Sequence, residues 1–208
     1  MYFYLKRFFD LLLSLIGLVL LSPLFLILVI AIKLDSRGPI FFKQKRVRIH
    51  KSHFNILKFR TMRIDTPKDT PTHLLNNPDK YITRVGSFLR KTSLDELPQI
   101  INIIKGEMSI IGPRPALWNQ FDLIEERDKH GANDVPVGLT GWAQINGRDE
   151  LEISAKAKLD GEYVNNFGFL FDVRCFFGTL VSVMKSDGVL EGGIGQNENL
   201  NGKKDEEF

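Results

Sequence analysis

The sequence predicts an α+β protein that is mostly helical and has a membrane element at its N-terminus. An almost uninterrupted apolar run covers residues 8–32, and two short segments that alternate polar and apolar residues follow it. The remaining apolar segments read as helices separated by proline, glycine and polar loops. We therefore expect a re-entrant membrane helix-break-helix, a short β-hairpin, and interfacial amphipathic helices around a small domain.

The apolar run is long enough to cross a membrane. Residues 8–32 would form a helix of about 37 Å at roughly 1.5 Å per residue, against a hydrocarbon core of about 30 Å. A cleaved signal peptide does not fit, because the run is too long and no Ala-x-Ala site follows. A plain transmembrane helix remains the ordinary alternative to the re-entrant form.

Two features favour the re-entrant form. Pro23 lies near the middle of the run, where it removes a backbone hydrogen bond and kinks the helix, and Ser22 can satisfy the freed carbonyl group. Positive charges also flank both ends of the run, at Lys6 and Arg7 and again after residue 32. A spanning helix has a one-sided charge bias, so these symmetric flanks indicate that both ends are cytoplasmic.

The modest net charge of +3 conceals a basic stretch directly after the apolar run. This stretch suits anionic lipid headgroups or phosphate-bearing substrates, and its members are Lys43, Lys45, Arg46, Arg48 and Lys51. Cys175 is the only cysteine, which excludes an internal disulfide and a cysteine zinc site.

The predicted elements follow in order. Strands are expected at 40–47 and 54–61, an exposed loop at 65–80, helices at 81–89, from about 93 to 105, 116–130 and 153–165, and a loop at 135–147. The aromatic segment 167–184 is either a core helix or an interfacial helix. We divide the chain into a membrane helix (1–36), a cytosolic-face domain (37–190) and a polar tail expected to be disordered (191–208).

The segment from Ser93 to Gln99 contains the strongest candidates for chemistry, Asp95 and Glu96. Ser93 and Glu96 have the spacing of a capping box, and Pro98 suits a first helical turn, so the acidic pair is expected at a helix N-terminus. The pair then either complements the helix dipole, or supplies a nucleophile and a magnesium ligand for phosphate chemistry.

Other residues are candidates for binding phosphate or substrate. Arg114 stands between two prolines that limit its backbone, which suits bidentate phosphate recognition. Lys58 and Arg60 share one face of the second strand. Weaker candidates are Arg90 and, in the glycine-rich segment 140–148, Gln144 and Arg148. The sequence contains neither a nucleotide-binding glycine motif nor an Asp-x-Asp motif.

The chain resembles the bacterial sugar transferase family, the small monotopic phosphoglycosyl transferases. The resemblance rests on motifs that occur in order between residues 3 and 187: Ser22-Pro23, Lys58 to Met62, Ser93 to Gln99, Lys105 to Ser109, Ile111 to Pro115 and Gly138 to Arg148. It implies that Asp95 is the nucleophile, that Glu96 assists through Mg²⁺, that Arg114 and Lys58 hold phosphate, and that Asp172 matches a functional acidic position.

The implied reaction moves a sugar 1-phosphate from a UDP-sugar to undecaprenyl phosphate and releases UMP, by a ping-pong mechanism through an aspartyl phosphosugar. The resemblance also implies a monotopic location on the cytoplasmic face of the bacterial inner membrane, in contact with phospholipids. This reaction would be the first membrane step in building a capsule, exopolysaccharide, O-antigen or glycoprotein.

Two other functions are compatible with parts of the sequence. A membrane-associated glycosyl transferase would release UDP, but the nucleotide-binding layout expected of it is not visible. A basic membrane-anchored binding protein would not depend on Asp95; we expect no nucleic-acid partner. The sequence specifies neither the sugar nor the pathway, and it leaves a homodimer open.

Overall fold

The computed structural model describes residues 1–66, 80–147 and 151–185 as a mostly helical α+β protein. The elements are α1 (Tyr2–Asp35), β1 (Phe41–Val47), a 3₁₀ turn (Ile49–Lys51), β2 (His53–Phe59), α2 (Arg84–Lys91), a second 3₁₀ turn (Leu94–Glu96), α3 (Gln99–Lys105), β3 (Ser109–Ile111), α4 (Phe121–Asp128), β4 (Gly138–Thr140), α5 (Trp142–Ile145), α6 (Ile153–Asn165) and α7 (Phe169–Lys185). Most of the predicted 65–80 loop, Arg148 and the 191–208 tail lie outside the described residues.

Helix α1 continues through Pro23. Proline has no N–H to donate to the Val19 carbonyl one turn earlier, and the Ser22 hydroxyl donates to that carbonyl instead, at 2.8 Å. The local hydrogen bond predicted for Ser22 is therefore present, but the predicted break in the helix at Pro23 is not, because this hydrogen bond replaces the donor that proline lacks. Among the described residues, α1 is the one helix whose length and composition would allow it to cross a membrane.

Both halves of α1 pack against the rest of the protein. In the first half Asp10 accepts hydrogen bonds from the Ser109 hydroxyl at 2.6 Å and the Ile110 amide at 3.0 Å. In the second half Leu28 and Ile32 are buried in a cluster with Phe59 and Leu89. Between these contacts, Val19 and Leu20 are 71% and 73% exposed.

Strands β1 and β2 form the predicted antiparallel hairpin, in which Phe41 pairs with Phe59 and Val47 with His53. Its connection is tight, because His50 and Lys51 both have positive φ angles, of 56° and 54°. The predicted hairpin is confirmed, with its second strand ending two residues earlier than expected.

The loop predicted at 135–147 was wrong, because this segment contains β4 and the short helix α5. β4 pairs in parallel with β3, with Ser109 opposite Gly138. The two backbones come so close that a Cβ atom on Gly138 would lie 2.1 Å from the Gly112 nitrogen. The glycines of this segment therefore allow the backbones of β3 and β4 to approach closely, and they do not indicate a loop.

Helix α4 begins later than predicted because the preceding residues belong to the hairpin edge. The Val47 amide donates to the Ala116 carbonyl at 2.9 Å, and Arg46 forms an isolated bridge with Leu117. Helix α2 likewise begins at Arg84, after Thr83 caps it by accepting from the Gly86 amide at 2.9 Å. Helix α6 has the predicted bounds.

Helix α7 has one buried side and one exposed apolar side. Asp172 and Cys175 are buried against α1 and α6. Six large apolar residues are exposed on the other side: Phe169, Leu170, Phe176, Phe177, Leu180 and Val181. Phe169 also lies beside Phe9 of α1, with ring centroids 6.2 Å apart. The segment thus combines a core face with the apolar face expected of an interfacial helix.

A buried ion pair joins α4 to α6. Arg127 donates from Nε and Nη2 to one oxygen of Asp160, at 2.8 and 2.6 Å, and the two side chains are 3% and 1% exposed. We predict that Arg127→Met lowers the free energy of unfolding by about 3–5 kcal/mol, because it leaves a buried carboxylate unpaired. Denaturant unfolding in detergent measures this loss. Lys129→Met is the exposed control, and an equal effect of both changes would contradict the prediction.

Candidate active site

Asp95 and Glu96 lie on the 3₁₀ turn that precedes α3. Ser93 before them has a left-handed backbone, with φ of 55°, and its side chain makes no capping hydrogen bond. The predicted capping box was therefore wrong: the Glu96 carboxylate turns toward cationic side chains of other elements. Pro98 directly precedes α3, so this helix begins at Gln99, later than the start near residue 93 that we predicted.

Two cations converge on Glu96. Its Oε1 accepts from Lys58 Nζ and from Arg114 Nη2, both at 2.7 Å. Lys58 Nζ also lies 3.7 Å from Asp95 Oδ2. The side chains of Asp95, Glu96 and Lys58 are 13%, 18% and 18% exposed, whereas Arg114 is 38% exposed. The four groups form a compact charged cluster, and Arg114 is its most exposed member.

The two carboxyl groups differ in their electrostatics. Burial raises the pKa of Asp95 and the negative Glu96 adds to this rise, against the opposing effect of Lys58. Burial also acts to raise the pKa of Glu96, but Arg114 and Lys58 outweigh it and hold that pKa far below its usual range. Glu96 is thus ionised and paired with two cations. The charge of the neighbouring Asp95 carboxylate is less fully balanced by these cations.

Asn102 positions Lys58 relative to the acidic turn. From α3, its Oδ1 accepts from the Leu57 amide at 2.9 Å, and its Nδ2 donates to the Asn55 carbonyl at 2.9 Å and to Glu107 Oε2 at 2.6 Å. Asn102 is fully buried. The sequence reasoning missed this residue, although a lone asparagine between four isoleucines was a usable signal.

Backbone contacts on both sides hold Arg114. The Gly112 amide donates to the Thr140 carbonyl at 2.8 Å, and the Gly138 amide donates to the Pro113 carbonyl at 2.9 Å. From β1, Arg46 Nη1 donates to the Pro115 carbonyl at 3.0 Å. The rigid support predicted from the two prolines therefore extends to β1 and β4.

The chain matches the sequence profile described as Bacterial sugar transferase over residues 1–186. The chain belongs to the bacterial sugar transferase family. It is 39% identical over 186 residues to the uncharacterized sugar transferase EpsL of Bacillus subtilis, covering 89% of this chain and 90% of EpsL. It is 38% identical over 197 residues to the exopolysaccharide production protein ExoY of Sinorhizobium fredii, covering 88% and 87% of the two chains.

A longer relative has a more specific name. The UDP-glucose:undecaprenyl-phosphate glucose-1-phosphate transferase of Escherichia coli K12 is 40% identical over 185 residues, which make up 85% of this chain and 39% of that protein. The sugar transferase described here therefore resembles a part of that relative. These relationships confirm the family assignment, and this chain is an enzyme of the transferase class.

Arg60, a predicted phosphate-binding residue, has its partners in this sugar transferase outside the Asp95 cluster. Its guanidinium group is buried and donates to the Ser36 carbonyl at 2.6 Å and to the Arg37 carbonyl at 2.9 Å. These carbonyl groups follow the C-terminus of α1. Arg60 therefore fixes the end of α1 to the domain.

Asp172 also lies outside the Asp95 cluster. It accepts hydrogen bonds from Lys6 Nζ and the Tyr2 hydroxyl, both at 2.5 Å, and from the Tyr163 hydroxyl at 2.8 Å. These contacts join α7 to α6 and to the first turns of α1. The structure therefore gives the predicted substrate residue Asp172 a role in joining helices.

Gln144 of the sugar transferase is buried on α5, and both polar atoms of its amide lack a hydrogen-bond partner in the described parts of the chain. Its Oε1 would lie 3.1 Å from a Cβ on Gly141, and that Cβ would be 2.1 Å from the Gly112 carbonyl oxygen. The amide therefore lies near the backbone that leads to Arg114. Arg90 lies close enough to Asp95 to act on its pKa, opposing the rise.

The described residues contain no cluster of three or more metal-ligating side chains. Mg²⁺ often takes one or two carboxylates and completes its coordination with water and substrate phosphates. Asp95 makes no hydrogen bond through its side chain within the described ranges, whereas Glu96 already contacts two cations. The pair therefore fits a magnesium ion that arrives with a diphosphate substrate.

Proposed function

We propose that this sugar transferase moves a sugar 1-phosphate from a UDP-sugar to undecaprenyl phosphate and releases UMP. The observation that carries the proposal is the Asp95 carboxylate, largely buried beside a Glu96 whose charge is balanced by Lys58 and Arg114. Such a cluster offers a nucleophile next to cations that bind phosphate oxygens. The names of several relatives make UDP-glucose the first donor to test.

In the first step, an Asp95 oxygen forms a bond to the β-phosphorus of the donor. The bond from that phosphorus to the oxygen bridging the two phosphates breaks, and UMP leaves with its electron pair. Arg114 and Lys58 stabilise the negative charge that shifts between phosphate oxygens during this step. Arg114 suits this role because its guanidinium is partly exposed while its backbone is fixed on both sides.

In the second step, a phosphate oxygen of the polyprenyl phosphate forms a bond to the same phosphorus. The bond to Asp95 breaks and its electron pair returns to the carboxylate. The same cations serve both steps because each step transfers charge through similar phosphate oxygens. The unpartnered Gln144 amide is proposed to bind polar groups of the donor.

We propose that Mg²⁺ is held at the Asp95–Glu96 pair together with the donor diphosphate. When bound there, the ion supplies charge neutralisation at the phosphates. Glu96 would have to share its oxygens with Arg114 and Lys58, whereas the Asp95 side chain makes no hydrogen bond to the described residues and its Oδ2 lies 3.7 Å from Lys58 Nζ. Arg114 and Lys58 remain responsible for orienting the phosphates in either case.

The packing of α1 supports a re-entrant, monotopic topology. Contacts to the domain occur at Asp10 near one end of α1 and at Ile32 near the other. A helix that crossed the bilayer would carry the domain on one side only, and its far end would lie in lipid or beyond it. The exposed middle of α1, around Val19 and Leu20, is the part that would enter the hydrocarbon.

The exposed apolar side of α7 extends this membrane-facing surface. Phe169 contacts Phe9 of α1, so the two apolar surfaces adjoin at this point. We therefore propose that α7 lies in the headgroup region beside the re-entrant helix. This arrangement would bring the active site to the depth of the acceptor phosphate.

The released nucleotide tests the proposed reaction. The full chain in nanodiscs is incubated with undecaprenyl phosphate, Mg²⁺ and a panel of UDP-sugars, and the nucleotides are separated by chromatography. We expect UMP with at least one donor, and loss of UMP release when EDTA removes the metal. Release of UDP would contradict the proposal in favour of direct glycosyl transfer.

A further inference from the structure

A cavity of about 170 Å³, lined by both charged and apolar residues, lies between the first turns of α1 and the cytosolic-face domain. Phe3 and Arg7 of α1 form one wall, Arg48 and Ile49 of the hairpin turn another, and Met108 a third. None of the residues Lys58, Asp95, Glu96 and Arg114 lines it. The cavity is therefore separate from the proposed active site.

Four charged side chains of this cavity have partners. Lys6 pairs with Asp172, and Arg7 donates to the carbonyl groups of Ile103 and Ile104 at the end of α3. The two acidic residues are also bonded, Asp10 to Ser109 and Ile110, and Glu107 to Asn102. Their charges are thus largely committed to holding α1, α3 and β3 together.

Arg48 is the exception among the charged residues of the cavity. Its Nε is buried and has no hydrogen-bond partner, and its side chain makes no ion pair within the described ranges. A buried donor without a partner costs free energy, so an acceptor that reaches Arg48 Nε would be bound favourably. Phosphate is an acceptor well suited to arginine, because the planar guanidinium donors match two phosphate oxygens.

The backbone around Arg48 is fixed. Its amide donates to the Ser52 carbonyl at 2.8 Å across the turn, and the His50 amide donates to the Asn133 carbonyl at 2.7 Å. The turn is therefore tied to the segment after α4. A donor group on a fixed support loses little conformational entropy when it binds a ligand.

The position of the cavity indicates what kind of phosphate-bearing ligand it binds. Phe3 on its wall belongs to the apolar surface of α1, where Tyr4 and Phe8 are 82% and 58% exposed. A ligand in this cavity would contact the Arg48 cation and the apolar surface of α1 at the same time. A phospholipid suits both, because it carries a phosphate next to hydrocarbon chains. The exposed Lys43 and Lys45 on the same hairpin would add attraction to an anionic surface.

We propose that this cavity binds the phosphate of an anionic glycerophospholipid through Arg48. The inference rests on the proposed insertion of α1 into the membrane, and not on the proposed reaction. Bound lipid would satisfy Arg48 and fix the hairpin turn against α1. It would thereby set the depth at which the domain sits on the membrane.

Native mass spectrometry of the full chain in a neutral detergent tests this site. The probes are phosphatidylglycerol, phosphatidylcholine, undecaprenyl phosphate and inorganic phosphate, each titrated separately. We expect the wild type to bind one phosphatidylglycerol about tenfold more tightly than Arg48→Gln does, and about tenfold more tightly than it binds phosphatidylcholine. Arg84→Gln, at an exposed arginine on α2 that does not line the cavity, is the matched control, and it should bind as the wild type does.

Arg48→Lys keeps the charge without the planar donors and should lose part of the affinity, which provides a second test if Arg48→Gln does not fold. Equal phosphatidylglycerol binding by wild type and both Arg48 variants would overturn the proposal. Saturation by inorganic phosphate at similar concentrations would overturn the lipid assignment. Tighter, Arg48-dependent binding of undecaprenyl phosphate would also overturn it, in favour of an acceptor site. Because no outcome depends on UMP release, failure here is distinguishable from failure of the proposed reaction.

Discussion

Asp95→Asn is expected to lower UMP release by at least about a thousandfold, as the loss of a covalent nucleophile commonly does. The amide preserves the shape of the side chain but cannot form the acyl phosphate. Glu96, Lys58 and Arg114 keep their mutual contacts, which do not pass through Asp95. The loss should therefore be far larger in kcat than in KM, which changes only as far as Asp95 helps to hold Mg²⁺ with the donor.

Asp134→Asn is the matched control for this change, because Asp134 is an exposed aspartate whose side chain is 71% accessible. It should release UMP at the wild-type rate. Undiminished UMP release by Asp95→Asn would retain the reaction class but exclude Asp95 as the nucleophile. A comparable loss in both variants would indicate a structural effect.

Arg114→Gln is expected to lower kcat by about 10²–10³-fold, the typical effect of removing one donor that stabilises transition-state charge. Two consequences combine in this variant: the phosphate loses its planar donor pair, and Glu96 keeps only Lys58 as a cation. Arg114→Lys restores the charge without the planar pair and should lose less. Steady-state UMP release in nanodiscs measures both variants.

Arg84→Gln serves as the control for Arg114, since Arg84 is an exposed arginine on α2. It should leave kcat within twofold of the wild type, within about 0.4 kcal/mol. The order wild type, Arg114→Lys, Arg114→Gln is the specific expectation. Equal activity of Arg114→Gln and wild type would exclude this guanidinium from the transition state.

The sequence predicted those parts of the fold that depend on interactions between residues close together in the chain. The hairpin followed from alternation in two adjacent segments, and the Ser22–Val19 hydrogen bond followed from the missing donor of Pro23. The parallel pair of β3 and β4 was missed, because two strands of three residues, far apart in sequence, leave no periodic signal. Their pairing depends on glycines that allow the two backbones to approach closely. In a sequence, the same glycines are typical of a loop.

The sequence predicted which residues form the site better than it predicted how those residues contact one another. Lys58, Asp95, Glu96 and Arg114 are brought together as expected. Alternation on β2 could show that Lys58 and Arg60 share a face, but not that the end of α1 lies against Arg60. The capping-box spacing of Glu96 likewise gave no sign that two distant cations would compete for its carboxylate.

The covalent intermediate tests the central claim most directly. The full chain is mixed with UDP-glucose and Mg²⁺ without any acceptor, quenched in acid, and analysed by intact mass and peptide mapping; the other donors of the panel follow if no UMP forms. The account predicts one hexose phosphate on the peptide that contains Asp95, with UMP released in stoichiometric amount, and loss of both after Asp95→Asn. UMP formation that requires the acceptor, with no adduct on the protein, would contradict the account and indicate direct transfer.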